Sequence, residues 1–163
     1  MMKIASLLTL VFLVLPSTLL ALSTDRDQPI EIEADSLEIR DTENISIYSG
    51  NVRLNQGSLA LRSERLVIHF NDQNELTLME LTGSPATFRQ LNNERQELTG
   101  QADRLEYREA ESTLILLGNA RLSHRGDTIE SNTIRINTDN ESIQAGGSNS
   151  DDRVKMLIQP KQQ

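Results

Sequence analysis

The feature that most constrains this chain is the alternation of apolar and polar residues that begins at Ile30. Apolar side chains occupy every second position in one short run after another, and glycines separate many of the runs. A period of two places the apolar side chains of a run on one face of a β-strand. No helical spacing follows residue 21, so the sequence predicts an all-β fold. The runs include residues 30–34, 37–39, 52–54, 59–61, 66–68, 76–78, 105–107, 134–136 and 154–158.

The strands also repeat along the chain. Residues 34–40 (ADSLEIR) return as 102–108 (ADRLEYR), and residues 50–54 (GNVRL) return as 118–122 (GNARL), so both pairs of blocks share one offset. Fainter copies lie about halfway between them. Stacked repeats of short strands make an elongated object with open ends, and a sheet must fold over on itself to bury one face. The sequence therefore predicts an open-ended β-jellyroll, a folded-over antiparallel sheet of four similar strand–turn units.

Residues 1–21 differ in kind from the rest of the chain. Lys3 precedes a nearly unbroken apolar stretch, and Ala21 is a plausible last residue of a signal peptide, with Ser23 as a second possible site. We expect residues 1–21 to be a cleaved signal peptide and residues 22–163 to form a single exported domain. The alternative is an uncleaved membrane anchor, because the apolar stretch approaches the ~20 residues that a spanning helix needs.

Composition narrows the classes of function. Residues 1–21 contain one lysine and no acidic residue, so the predicted mature chain carries 15 basic and 24 acidic side chains, a formal charge of −9. A surface of this charge argues against nucleic acid as a partner. The chain has no cysteine, so no disulfide stabilises it. The apolar surface is nearly all aliphatic.

The sequence offers no constellation for catalysis. His69 and His124 lie in different repeat units at positions of polar parity, and without cysteine or a second nearby histidine they predict no metal site. No nucleophile-elbow serine motif and no phosphate-binding glycine loop is present. We therefore expect no cofactor, no metal and no enzymatic activity, and look for function in a binding surface or in the open ends.

Four blocks of sequence then point to a family. Residues 27–35 (DQPIEIEAD), 49–52 (SGNV), 83–90 (GSPATFRQ) and 117–122 (LGNARL) resemble, in order and spacing, the LptA/OstA-like periplasmic lipopolysaccharide-transport bridge proteins. The likeness runs from about residue 25 to residue 160. It implies a β-jellyroll open at both ends that binds lipopolysaccharide. It also implies two partners, an inner-membrane-anchored bridge protein and an outer-membrane translocon.

Parity and the matching inward positions of that family together predict a lipid-binding trough. The alternative is that the same side chains fill a closed core. At residues 114–117 both parities are apolar, and the inward side stays undetermined. The predicted trough residues are Ile30, Ile32, Ile39, Ile68, Phe88 and Tyr107.

The apolar pattern of the last predicted strand indicates how copies of the chain assemble. Val154, Met156 and Ile158 share one apolar parity near the C-terminus, and an unpaired terminal strand is available for pairing. We expect these residues to form a stacking interface that joins copies head to tail. Other readings remain: a general periplasmic carrier of phospholipid or lipoprotein acyl chains, a membrane-anchored bridge partner of the same fold, or a solid β-solenoid scaffold without cargo.

Overall fold

A computed structural model describes residues 25, 27–91, 94–147 and 153–160, and these form one antiparallel sheet with two single turns of 3₁₀ helix. The predicted all-β class is confirmed. The predicted signal peptide lies outside the described residues. The strands are β1 (Glu31–Glu33), β2 (Ser36–Arg40), β3 (Ile45–Gln56), β4 (Leu59–Phe70), β5 (Leu76–Leu91), β6 (Glu97–Arg108), β7 (Thr113–His124), β8 (Asp127–Asn137), β9 (Ile143–Ala145) and β10 (Lys155–Leu157). Their order in the sheet is β1-β3-β4-β5-β6-β7-β8-β10, with β2 also paired to β3 and β9 to β8.

The sheet folds over along a line of register shifts. Each shift inserts residues into one strand, which bends it. The bend divides the sheet into a first leaf, which includes β2 and β9, and a second leaf, which includes β1 and β10. Gly100 and its pairing partner Leu122 lie in the second leaf, whereas Leu116 lies in the first. A Cβ at Gly100 would lie only 3.0 Å from Cδ2 of Leu116, so the two leaves face each other. The shifts lie between residues 49 and 52, 62 and 65, 82 and 86, 101 and 104, and 117 and 120.

The internal repeat is visible in the backbone. The 3₁₀ turns Asp41–Glu43 and Glu109–Glu111 are related by the same offset as the repeated blocks and occupy equivalent places before β3 and β7. Each ends in a left-handed residue, Asn44 with φ 52° and Ser112 with φ 46°. The sequence repeat therefore reports a repeated local geometry as well as a similar composition.

Strand register defines rows of side chains on the inner face, because directly paired residues in antiparallel strands point to the same side. Three such rows meet between the leaves and form the hydrophobic core. In the first leaf, the Leu37 row contains Leu37, Tyr48, Leu66, Leu81, Leu105, Leu116, Ile134 and Ala145. The Ile39 row beside it contains Ile39, Ser46, Ile68, Met79, Tyr107, Leu114, Ile136 and Ile143. In the second leaf, the Ile32 row contains Ile32, Leu54, Leu61, Phe88, Gly100, Leu122, Ile129 and Met156.

The register also settles the doubly apolar segment at 114–117. Leu114 and Leu116 lie in inward rows, so Ile115 and Leu117 point outward. Ile115 is nevertheless buried, because it pairs with Glu106 in an outer row that carries ion pairs. Glu106 binds Arg104 at 2.8 Å, and long charged side chains shield aliphatic ones beneath them.

Candidate functional site

A cavity of about 510 Å³ lies between the two leaves, on the side away from the bend. Leu59 and Leu61 line it from the second leaf, and Met79 and Leu114 line it from the first. Tyr107 also lines it. A mostly apolar cavity of this size accommodates one small or slender apolar ligand.

The mouth of the cavity is acidic. Asp25, Glu75 and Glu109 contribute carboxylates to the lining, and no basic side chain is among the described residues that line it. The mouth therefore favours a ligand that presents its apolar part to the cavity and keeps its anionic groups away from the rim.

The side chains between the leaves are closely packed beside the bend and leave a cavity near the mouth. In the Leu37 row, Leu66, Leu81, Leu105 and Leu116 have no exposed surface. In the neighbouring Ile39 row, which is closer to the strand ends, Tyr107 is only half-buried and borders the cavity. The leaves are thus closely packed beside the bend and separate toward the hairpin turns, which leaves an apolar groove along the open side.

Five of the six predicted trough residues, all but Ile30, fall in two inward rows, and four of these five do not line the cavity. Ile68 and Phe88 are buried in the packed core, with 4% and 3% of their surface exposed. Ile32 is half-buried in the row of Phe88, while Ile39 starts the row of Ile68 at an open edge and is 62% exposed.

The other two predicted residues, Ile30 and Tyr107, line the cavity itself. Five of the six therefore lie in inward rows and Ile30 borders the cavity, but the structure brings only Ile30 and Tyr107 to the cavity. Sequence reasoning did not choose Leu59, Leu61 or Met79, which line the cavity as well. Their alternation gave the inward parity, but not how far each lies from the bend.

The N-terminal segment is fixed at the cavity mouth by one carboxylate. Asp25 accepts hydrogen bonds from the Ser58 backbone N–H at 3.0 Å and from the Ser58 hydroxyl at 2.5 Å. Farther along, Gln56 Nε2 donates to the Gln28 carbonyl at 3.1 Å. These bonds hold the segment along the turn between β3 and β4 and so place Ile30 beside the cavity.

The predicted stacking residues lie on the last strand of the sheet and on its flanks. Val154, Met156 and Ile158 are exposed, although Met156 continues the inward Ile32 row. At the opposite edge, Leu37 and Ile39 are exposed at the start of their own inward rows. The apolar inner face therefore reaches both edges of the sheet, and no strand of the described part of the chain covers it there.

Charged side chains flank the two edges. On β2, a hydrogen bond from Arg40 lowers the pKa of Glu38 below its ordinary value, and the charge of Arg40 adds to this. Beside β10, a hydrogen bond from Lys155 lowers the pKa of Glu130, and the charge of Arg121 adds to this. Both carboxylates are therefore ionised at neutral pH.

The histidines lie apart from the cavity lining. His69 Nε2 is 3.1 Å from Oε2 of Glu80 on the outer face. His124 Nδ1 is buried and has no hydrogen-bond partner among the described residues. No group of three or more histidine, cysteine or acidic side chains suited to a metal occurs in the part of the chain that the structure describes. Within that same part, no helix has the length and apolar character needed to cross a membrane.

The sequence matches a known family over most of this sheet. Residues 31–142, which run from β1 to the turn before β9, match the family described as "LptA/(LptD N-terminal domain) LPS transport protein". The chain belongs to this family. The resemblance inferred from the sequence blocks is thereby confirmed, and the family is one of transport proteins.

Two curated relatives are similar over nearly the whole chain. The lipopolysaccharide export system protein LptA of Escherichia coli is 30% identical over 158 residues, covering 92% of this chain and 85% of its own length. The lipopolysaccharide export system protein LptH of Pseudomonas aeruginosa is 28% identical over 152 residues, covering 89% of this chain and 87% of its own.

A solved structure shares the fold. The crystal structure of LptH from Pseudomonas aeruginosa, described as the LptA-homologous periplasmic component of the lipopolysaccharide transport device, superposes with a TM-score of 0.76 at 26% identity. The match covers 84% of this chain and 99% of that one. The predicted open β-jellyroll is therefore confirmed.

Proposed function

We propose that this protein is a periplasmic lipopolysaccharide carrier that shields the lipid's acyl chains within the roll. It bridges the inner-membrane export complex and the outer-membrane translocon for outer-membrane assembly. The observation that supports this most directly is the apolar inner face, which runs from edge to edge and opens into a cavity along one side. Membership of a lipopolysaccharide transport family supplies the class of ligand.

Burial of acyl chains alone provides enough free energy for an acidic protein to bind an anionic lipid. At ~0.8 kcal/mol per buried methylene, a chain of about a dozen carbons contributes on the order of 9 kcal/mol. An exposed ion pair with a phosphate contributes only roughly 0.2–1 kcal/mol. The protein therefore binds the tails and leaves the anionic headgroup in solvent, in agreement with the carboxylates Asp25, Glu75 and Glu109 at the mouth.

The trough is proposed to comprise the six inward residues predicted from sequence together with Leu59, Leu61 and Met79. Ile30 and Tyr107 contact the first acyl chain in the cavity. Ile68 and Phe88 contact lipid only when the leaves separate, because both are now buried against their neighbours. Ile32 and Ile39 continue the apolar surface to the N-terminal edge.

Transport then requires a continuous path between copies and partners. Residues 1–21 act as a cleaved signal peptide that delivers the chain to the periplasm. The open edges, including Val154, Met156 and Ile158, join copies head to tail and join the chain to the membrane-anchored bridge protein and the translocon. Each handover exchanges one apolar lining for another, so the chain acts without catalysis or a cofactor.

Site-specific photo-crosslinking tests the ligand and its location. A photo-reactive residue at Tyr107, which lines the cavity, is expected to capture lipopolysaccharide in cells. The same residue at Arg108, which points outward on the same strand, is expected not to. Equal labelling at the two positions contradicts the trough. Mass spectrometry of the captured lipid separates lipopolysaccharide from phospholipid, the ligand expected of a general acyl-chain carrier.

A further inference from the structure

The two edges of the second leaf carry opposite charges in one row. Lys155 on β10 pairs with Glu130 on β8, and Glu130 pairs with Arg121 on β7. Their side chains also form ion pairs, with Lys155 Nζ 3.3 Å from Oε2 of Glu130 and Arg121 bonded to its Oε1. From β7 to the C-terminal edge the row therefore reads positive, negative, positive.

The same outer row ends in an acid at the N-terminal edge. Glu33 on β1 pairs with Arg53 on β3, and Oε2 of Glu33 lies 3.9 Å from a guanidinium nitrogen of Arg53. The strand register connects Arg53 through Arg62, Thr87 and Gln101 to Arg121. Glu33 and Lys155 are thus the two ends of a single row.

The directions of the edge strands permit the sheet to continue from one copy to the next. Every described strand pair is antiparallel, and the described strands that cross the second leaf from β1 to β10 are even in number. β10 of one copy is therefore antiparallel to β1 of the next when the second leaf is extended in register. That register places Met156 beside Ile32 on the inner face and Lys155 beside Glu33 on the outer face.

We propose that the Lys155–Glu33 contact between copies sets the polarity and register of head-to-tail stacking. This inference rests on the proposed self-stacking and adds its specificity determinant. We call the paired edge strands of two successive copies the joint. Across it the charges alternate from Arg121, Glu130 and Lys155 of one copy to Glu33 and Arg53 of the next. The two edge side chains are 77% and 74% exposed, so both are accessible to a second copy.

The two symmetric joints, which pair two N-terminal edges or two C-terminal edges, place like charges together. Two N-terminal edges would bring Glu31 and Glu33 of one copy against the same acids of another. Two C-terminal edges would bring together two copies of Lys155 and of the nearby Arg153. Like charges directly opposite each other on paired strands are destabilising, so the charges disfavour both symmetric joints and favour the polar one.

Mixing two charge-reversal variants tests the contact. Lys155→Glu alone places two acids in the joint, and Glu33→Lys alone places two lysines there. Each mature variant is expected to self-associate about tenfold more weakly than wild type in sedimentation at low salt. An equimolar mixture is expected to regain wild-type association, because every joint between unlike copies again carries opposite charges. Recovery on mixing also shows that both variants are folded.

Glu38→Lys is the matched control. Glu38 lies on β2, at the N-terminal edge of the first leaf, and also points outward, but its row ends at the uncharged Gln144. It should weaken association far less than Glu33→Lys, and high salt should reduce the difference between Glu33→Lys and wild type. If the wild type stacks but the mixture stays as weak as its components, the charge contact is wrong while stacking stands. A wild type that is monomeric at every concentration removes self-stacking and this inference together.

Discussion

The side-chain amide of Asn119 donates a hydrogen bond from Nδ2 to Oδ2 of Asp103 over 2.9 Å, at the bend of the sheet. The same bond occurs in the earlier copy of the repeat, where Asn51 donates to Asp35 over 2.8 Å. Asn119 has a φ of 48° and Gly118 before it a φ of 76°, so two successive left-handed residues turn the strand. The repeated sequence therefore encodes a repeated bend that brings the leaves together.

The first prediction concerns this bend. Gly118→Ala should lower the free energy of unfolding by about 3 kcal/mol, because the left-handed backbone disfavours a Cβ and that Cβ would lie 2.5 Å from Oδ2 of Asp103. In Gly126→Ala only the left-handed backbone disfavours the new Cβ, because that Cβ would lie no closer than 3.9 Å to another residue. This variant should lower the free energy of unfolding by about 1 kcal/mol. Urea unfolding of the wild type and of both variants measures the two losses. Equal losses would show that Asp103 does not constrain the bend.

The second prediction concerns the packing of Phe88 on Gly100. The two residues are direct partners on β5 and β6, and a Cβ on Gly100 would overlap the Phe88 ring. Gly100→Ala should cost about 1–3 kcal/mol of unfolding free energy through overpacking. Phe88→Leu removes the ring, so Gly100→Ala should cost less in that background. A double-mutant cycle measures the coupling, and strictly additive losses would rule out the proposed contact.

The third prediction separates lipid capacity from folding. Leu59→Trp should fill part of the cavity and reduce the lipopolysaccharide that copurifies with the protein severalfold, because Leu59 lines the cavity. Ala60→Trp introduces the same side chain one residue later, on the outer face opposite Arg89, and should leave the lipid content unchanged. Lipid analysis and thermal unfolding of both variants are compared with wild type. An equal loss of lipid at both positions would place the ligand elsewhere.

The cavity shows where sequence reasoning stops. Alternation identified the inward parity of Ile68 and Phe88, and both are indeed inward. It did not reveal that these two are buried while Tyr107, in the same row as Ile68, borders a cavity. Parity reports the face of a strand on which a residue lies. The width of the gap between two leaves depends on distance from the bend and on the side chains that meet across it.

The all-β class, the repeat and the family could be predicted from the sequence, because each depends on local spacing or on residue identity along the chain. The inward side of residues 114–117 could be read only from the folded chain. Alternation is uninformative where both parities are apolar, and the choice depends on pairing with β6 and β8. The fold also brings Lys155 and Glu33, which are far apart in the chain, to the two ends of one outer row. Rows cross strands through hydrogen-bonded register, which no periodicity within a single strand specifies.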